Sequence, residues 1–244
     1  MDSTHTFLII GATGYTGKAV VKALRGRNIS TIAHIRPNSP NRKKNVSLYN
    51  QLGVIVDHTP WEKKSLVDML KKYKPTHIFS LLGTTKAKAL AASKRGESAT
   101  YESVDRDLSI LLLQSMEEVQ KTMEHNFRYL FLSSMGVHSQ SSNRYLRARA
   151  DVEAYIQKTN FSWIIARPSF ISGADREEYR PMERIGSILC DALLWAVSLL
   201  GVKSPYQKYG TLSADDLALG LIELSVDEHV QQQILDTQNI RKYL

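Results

Sequence analysis

Short apolar runs of four to seven residues alternate along this chain with stretches in which apolar residues recur every three or four positions. The runs predict strands over 7–10, 29–35, 54–57, 77–82, 129–133 and 163–167. The helical period predicts helices over 15–25, 64–73, about 100–124 and 145–159. In the second of these, Leu66, Val67, Leu70 and Tyr73 share one face; in the third, Val104, Leu108, Leu111 and Leu112 do. Strand and helix in strict alternation predict an α/β fold: a Rossmann-type doubly wound parallel sheet, with right-handed crossovers and a ligand crevice at the carboxyl ends of the strands. Residues 35–45, "IRPNSPNRKKN", read as a basic loop, and 171–183, "ISGADREEYRPME", as a polar loop leading into the last region. With no internal repeat, low-complexity tract or linker, the 244 residues read as a single dinucleotide-binding domain in which about 171–211 form a small C-terminal substrate lobe or lid.

The first strand runs straight into "GATGYTG" and then an amphipathic helix. A strand turning at once into a helix aims the helix amides and the positive end of its dipole at whatever lies at the turn, which suits an anion. Gly11 allows the tight turn, Gly14 close approach of a diphosphate, and Gly17 close packing of helix on strand, while Thr13, Tyr15 and Thr16 offer hydroxyls. Dinucleotide binding is therefore expected, against a purely structural glycine turn. The acidic residue that would hold a ribose 2′-hydroxyl at the end of the second strand is missing from "TIAHIRPN". Arg36 stands there instead, with Arg42, Lys43 and Lys44 close behind. A guanidinium suits a 2′-phosphate, so NADP(H) is expected over NAD(H), the alternative being that Arg36 is a solvated surface charge.

Charge sharpens this picture. Residues 1–95 hold 17 Lys and Arg against 4 Asp and Glu, and 96–244 hold 15 against 20, so the net charge of +8 hides +13 on the first part and −5 on the second. A phosphate-bearing ligand or polyanion belongs with the first part, unless the lysines are only a solvated face. Aromatics are not interleaved with the basic clusters at Lys63, Lys64, Lys71, Lys72 and Lys74 and at Lys86, Lys88, Lys94 and Arg95, so no specific nucleic-acid partner is expected. Lys86 and Lys88 follow a strand end, from which they can reach the crevice. Seven scattered histidines and one cysteine, Cys190, give no metal-ligand spacing and no disulfide. The missing Gly-x-Ser-x-Gly elbow argues against a hydrolase. "MDSTHTF" has neither a basic nor an apolar leader region, and a cytoplasmic protein is expected. The apolar stretch 185–201 is shorter than a typical transmembrane span and carries Asp191 at its middle. It predicts a buried or pocket-covering helix, with weak peripheral membrane contact as the lesser reading.

"GATGYTG", "SLLGTTKAKA", "YESVDRDL", "FLSSMG", "YLRARADVEAY", "ARPSF" and "LSADDLALGLI" occur in this order. Together they resemble the atypical branch of the short-chain dehydrogenase/reductase superfamily, and within it the Tat-interacting NADPH-binding proteins and their fungal mitochondrial relatives. The resemblance implies that Asp57 lies near the adenine, that Leu82 and Gly83 line the adenosine side, and that Pro168 borders the nicotinamide. It also implies that Ser134 hydrogen-bonds the reacting oxygen and that Tyr145 exchanges its proton. The superfamily's Tyr-x-x-x-Lys places both side chains on one helix face, and the lysine stabilises the phenolate and binds the nicotinamide ribose. Here the motif reads Tyr145-Leu-Arg-Ala-Arg149. Arg149 can still bias the phenol electrostatically and contact a ribose hydroxyl, but a guanidinium is bulkier, stays protonated and cannot pass a proton on. The expected activity is an NADP(H)-dependent oxidoreductase acting on a carbonyl or hydroxyl of a small, hydrophobic substrate, as monomer or homodimer. The alternative is an NADPH-sensing regulator or scaffold with a protein partner and little turnover. No metal is expected.

Overall fold

The computed structural model describes residues 5–39, 41–83, 100–123, 125–169, 171–172 and 210–244. Strands β1 (Thr6–Ile10), β2 (Ser30–His34), β3 (Ile55–Asp57), β4 (His77–Ser80), β5 (Arg128–Leu132), β6 (Ser162–Arg167) and β9 (Gln233–Asp236) form a sheet in the order β3-β2-β1-β4-β5-β6-β9. Every pairing in it is parallel. Because helices cover both faces, the central strand does not alternate between apolar and polar: Phe7 to Ile10 of β1 are all fully buried.

On one face lie α1 (Tyr15–Gly26), α2 (Arg42–Gln51) and α6 (Ala214–Val226), sharing a core of Val20, Leu24, Tyr49, Leu217 and Leu221 with Phe7 and Ile9. On the other lie α3 (Lys63–Tyr73), α4 (Leu108–Met123) and α5 (Arg144–Ile156), whose Leu70, Leu112, Met116 and Val152 pack on Leu8, Ile10 and Phe131. Strand order reverses between β1 and β4, and the first crossovers leave β1 toward β2 while the later ones leave β4 toward β5. That divergence opens the crevice at the carboxyl ends.

The predicted strands and helices are present, with ends shifted by one to three residues. The basic stretch 35–45 is not wholly a loop, because α2 begins at Arg42. Only Asn45 and Tyr49 of α2 are buried, one turn apart, so the helix has almost no apolar stripe to announce it. The helix expected over 100–124 is interrupted: Tyr101–Asp107 form a wider π-helical turn, capped by Thr100 and Ser103, before α4. The edge strand β9 and the short helix α7 (Thr237–Arg241) add to the elements that the hydrophobic pattern predicts. In the expected C-terminal lobe, β7 (Ile171–Ser172) pairs in parallel with β8 (Leu212–Ser213). Residues 173–209 of that lobe, the apolar stretch 185–201 among them, lie outside the described residues, as do Lys86, Lys88, Lys94 and Arg95.

Candidate functional site

The glycine turn has the form a diphosphate needs. Gly11 has φ +83°, and a Cβ on it would sit 2.6 Å from the Leu81 carbonyl oxygen at the neighbouring strand end. A Cβ on Gly17 would overlap the Gly11 carbonyl, and one on Gly14 would lie 3.2 Å from the same oxygen. Hydrogen in place of a side chain is thus required twice by backbone contact, and the open side of the turn is a cradle that a side chain would fill. Gly14 caps α1 without any side-chain hydrogen bond, so no capping side chain occupies the start of the helix, the position that suits an anion. Thr13 and Tyr15 are half-buried and Thr16 is buried. These residues fit the diphosphate of a dinucleotide.

At the ends of β2 and β3 the side chains sort by depth. Arg36 is exposed just beyond β2. His34 is buried, its Nε2 2.8 Å from the Thr59 carbonyl, with Trp61 edge-on at 5.4 Å. Burial pushes the His34 imidazole below its ordinary value, which keeps it neutral. Asp57 ends β3 opposite His34 and accepts from the Thr59 amide at 2.9 Å and the Thr59 hydroxyl at 3.1 Å. The carboxylate therefore organises the turn after β3 as well as edging the crevice. Arg42, Lys43 and Lys44 occupy the first turn of α2, where the helix dipole disfavours cations, and no acidic residue accompanies them. Cations at the positive end of a helix are stabilised by a bound anion.

Across the reversal point, Arg149 is the central residue. It projects from α5, is 3% exposed, and its guanidinium is shared among three strand and helix ends. It donates to the Leu132 carbonyl at the end of β5, to the Leu82 carbonyl beyond β4 at 2.6 Å, and to Asp105 of the π-helical turn at 2.7 Å. Asp105 is itself fully buried, so this is a buried ion pair. The guanidinium carbon also lies 5.1 Å from the Tyr145 ring centre and 5.2 Å from that of Phe131. Burial alone would depress the guanidinium, but Tyr145 and Asp105 outweigh it and hold it above its ordinary value. Arg149 is permanently charged.

The π-helical turn and α5 are fastened along their length. Glu102 pairs with Arg144 at 2.8 Å, Arg106 with Asp151 at 3.8 Å, and the Tyr101 and Tyr145 rings meet edge-on at 5.4 Å. This seam holds Tyr145, half-buried in the first turn of α5, at the crevice. Ser134 lies just past β5, half-buried, with its hydroxyl 3.3 Å from the Met135 carbonyl. Pro168 is buried past β6, and its carbonyl accepts from the Met135 amide at 3.0 Å. Leu82 and Gly83 follow β4, and a Cβ on Gly83 would approach Arg149 Nη2 to 3.3 Å. The structure thus brings Tyr145, Arg149, Leu82 and Gly83 together at one end of the sheet, and sets Arg36 and Asp57 at the β2–β3 side of the same edge.

Two groups are not marked as functional by the sequence. Asp105 stands within a resembling motif, but its burial opposite Arg149 follows only from the π-helical turn. Glu153 lies in a helix rich in charge, yet it is 2% exposed. It accepts from Ser133 Oγ at 2.5 Å and forms an ion pair with Arg167, tying β5, α5 and β6 beneath Ser134. A glutamate one turn beyond Arg149 and an arginine ending a strand are the available signals. Among the described residues no group of three or more His, Cys, Asp or Glu side chains converges as a metal site, and no helix is long and apolar enough to cross a membrane.

Comparison with known proteins agrees with this geometry. Residues 11–188 match a family model described as NAD(P)H-binding. The chain is 27% identical to Protein FMP52, mitochondrial, of Coccidioides immitis over 198 residues, covering 78% of this chain and 75% of that protein. It is 30% identical to Protein HTATIP2 of Rattus norvegicus over 181 residues, covering 72% of this chain and 66% of that protein. The fold is shared with the Bordetella bronchiseptica enzyme WbmG, solved in complex with NAD, at a TM-score of 0.62 and 12% identity over 96% of this chain and 72% of that one. With its glycine cradle, its sheet order and these relatives, the chain belongs to the NAD(P)H-binding family, in the atypical branch of the short-chain dehydrogenase/reductase superfamily.

Proposed function

We propose that this protein is an NADP(H)-dependent oxidoreductase acting on a carbonyl or hydroxyl group of a small, hydrophobic substrate. The observation that carries the reading is Tyr145 held at the crevice with the Arg149 guanidinium 5.1 Å from its ring. The bound nicotinamide would supply or accept hydride at its C4. The amides of the glycine turn and of the α1 first turn would hold the diphosphate. Leu82, Gly83 and Asp57 would line the adenosine side, and Pro168 would border the nicotinamide. Tyr145 would exchange the proton of the substrate oxygen, and Ser134 would donate a hydrogen bond to that oxygen.

Support for NADP(H) over NAD(H) comes from Arg36 exposed beyond β2, the absent acidic side chain there, and the basic first turn of α2. Replacing Arg36 by Ala removes a charge-assisted contact and should weaken NADPH by about 10-fold or more while leaving NADH nearly unchanged. Calorimetric titration with both cofactors checks this, and equal losses would remove the assignment.

A specific observation favours a second reading, a cofactor sensor with little turnover. The Arg149 guanidinium is paired with Asp105 at 2.7 Å and gives further hydrogen bonds to the Leu82 and Leu132 carbonyls, so its charge is neutralised and its hydrogen bonds go to partners other than Tyr145. NADPH oxidation followed by absorbance across aldehydes, ketones and quinones separates the two. Substrate-dependent oxidation abolished in Tyr145→Phe supports the oxidoreductase; tight NADPH binding without any oxidation supports the sensor.

A further inference from the structure

Tyr49 belongs to α2, yet its hydroxyl serves the glycine turn. It donates to the Ala12 carbonyl at 2.5 Å, between residues 37 apart in sequence. The side chain is 1% exposed, in one buried cluster with Ala12, Val20 and Ile35. Burial pushes its phenol well above the ordinary tyrosine value, so it remains a donor throughout the working pH range. A hydroxyl in an interior so apolar is costly unless it is hydrogen-bonded, and the Ala12 carbonyl is the partner that offsets the cost.

The turn shows what that is. Peptide planes are rigid and, among the described residues, none is cis, so a carbonyl and the amide that follows it point in opposite directions. Fixing the Ala12 carbonyl on α2 therefore turns the Thr13 amide away from α2. The neighbouring Gly14 amide is already committed to the Gly11 carbonyl at 2.9 Å. The plane of this peptide is set by the ψ of Ala12 and the φ of Thr13, and the hydrogen bond to Tyr49 holds it from outside the turn. Without the Tyr49 hydroxyl, the Ala12 carbonyl would be left buried and unpaired, and turning the peptide over would relieve it by setting a carbonyl oxygen against the phosphates.

We propose that Tyr49 is a positioning residue for the dinucleotide: its hydroxyl locks the Ala12–Thr13 peptide so that an amide, not a carbonyl, is presented to the diphosphate. This rests on the glycine turn being the diphosphate cradle. It assigns α2 a second role beside carrying Arg42, Lys43 and Lys44, and the two roles have different signatures. A locked peptide matters to every ligand with a diphosphate, whether or not it bears a 2′-phosphate.

The test is Tyr49→Phe in the full chain, which keeps the ring and removes one oxygen. Affinities of wild type and variant are measured by calorimetry for NADPH, NADH and ADP, and by NMR titration for adenosine. The expected result is a loss of about 10-fold for each of the three diphosphate ligands, the scale of one hydrogen bond, with adenosine unchanged. Hydrogen exchange supplies the second measurement: NADPH should protect the Thr13 amide in wild type and fail to do so in the variant. Unchanged affinity for NADPH and ADP overturns the proposal. So does a loss confined to NADPH, which would assign Tyr49 to the basic turn of α2, or an equal loss for adenosine, which would make it merely structural. A wild-type Thr13 amide that NADPH leaves unprotected also overturns it. Wild type that binds none of the dinucleotides removes the cradle reading and the proposal together, whereas wild-type binding with an unaffected variant removes the proposal alone.

Discussion

Arg149 shows how one side chain decides what the site can do. Its donors bridge Leu82, Leu132 and Asp105, so it braces the ends of β4 and β5 against the π-helical turn while it faces Tyr145. A lysine reaches one such acceptor well, not three in a plane, so Arg149→Lys should lose stability as well as alter the site. Replacing Asp105 by Asn tests the pairing directly. The guanidinium would be left buried without its counter-charge, and the urea midpoint should fall by the equivalent of about 3–5 kcal/mol. An unchanged midpoint would show that the pair is not what holds the brace. Tyr145→Phe should behave differently. NADPH affinity should stay within about twofold, while any carbonyl-dependent oxidation falls by about 100-fold or more, as expected for losing a general acid.

At the scale of elements, packing constrains what charge alone does not. The close passage of α1 over β1 depends on Gly17, where a methyl group would overlap the Gly11 carbonyl. Gly17→Ala should therefore cost about 1–3 kcal/mol of stability, read from thermal or urea unfolding, and should weaken dinucleotide binding by displacing the helix start. This requirement is legible in the sequence, because three glycines spaced between a strand and an amphipathic run mark a backbone that must pass close to its neighbours. The helix α2 is not legible in that way. "RKKNVSLYNQ" has no apolar stripe, and its two buried residues, Asn45 and Tyr49, are polar or amphipathic. It is held by tertiary contact, with Tyr49 reaching the glycine turn, so no local pattern reveals it. The π-helical turn is hidden for a related reason. Its apolar spacing resembles that of an ordinary helix, and only the demand to point Asp105 at Arg149 distinguishes it.

Over the whole molecule, the ionisable groups away from the crevice set the response to acid. His77 at the start of β4 is 4% exposed, lies between Thr76 Oγ1 and the Ser225 carbonyl, and stacks on Phe7. Burial, together with His5 and Arg128 and despite the bond to Ser225, pushes its imidazole down to about 4. The unfolded chain, with an ordinary histidine near 6.5, binds more protons between these values, so stability should fall as pH drops through that window. The loss from this residue should approach about 2 kcal/mol between pH 7 and 5, visible as a lower urea midpoint. His34, also depressed by burial, acts in the same direction. A midpoint that is flat over this range would contradict the burial of both rings. The parallel sheet, its alternation with helices, the tight glycine turn at Gly11, Gly14 and Gly17, and the lack of an acidic side chain after β2 can all be read from the order of residues alone. These are legible because periodicity, turn chemistry and the identity of a charge are local properties of a chain. The pairing of Arg149 with Asp105, the burial of Glu153 between Ser133 and Arg167, and the bond from Tyr49 to Ala12 become visible only once the chain is folded. Those facts depend on which distant residue shares a buried volume, and a polar group's role inside a protein is set by the partner it finds there.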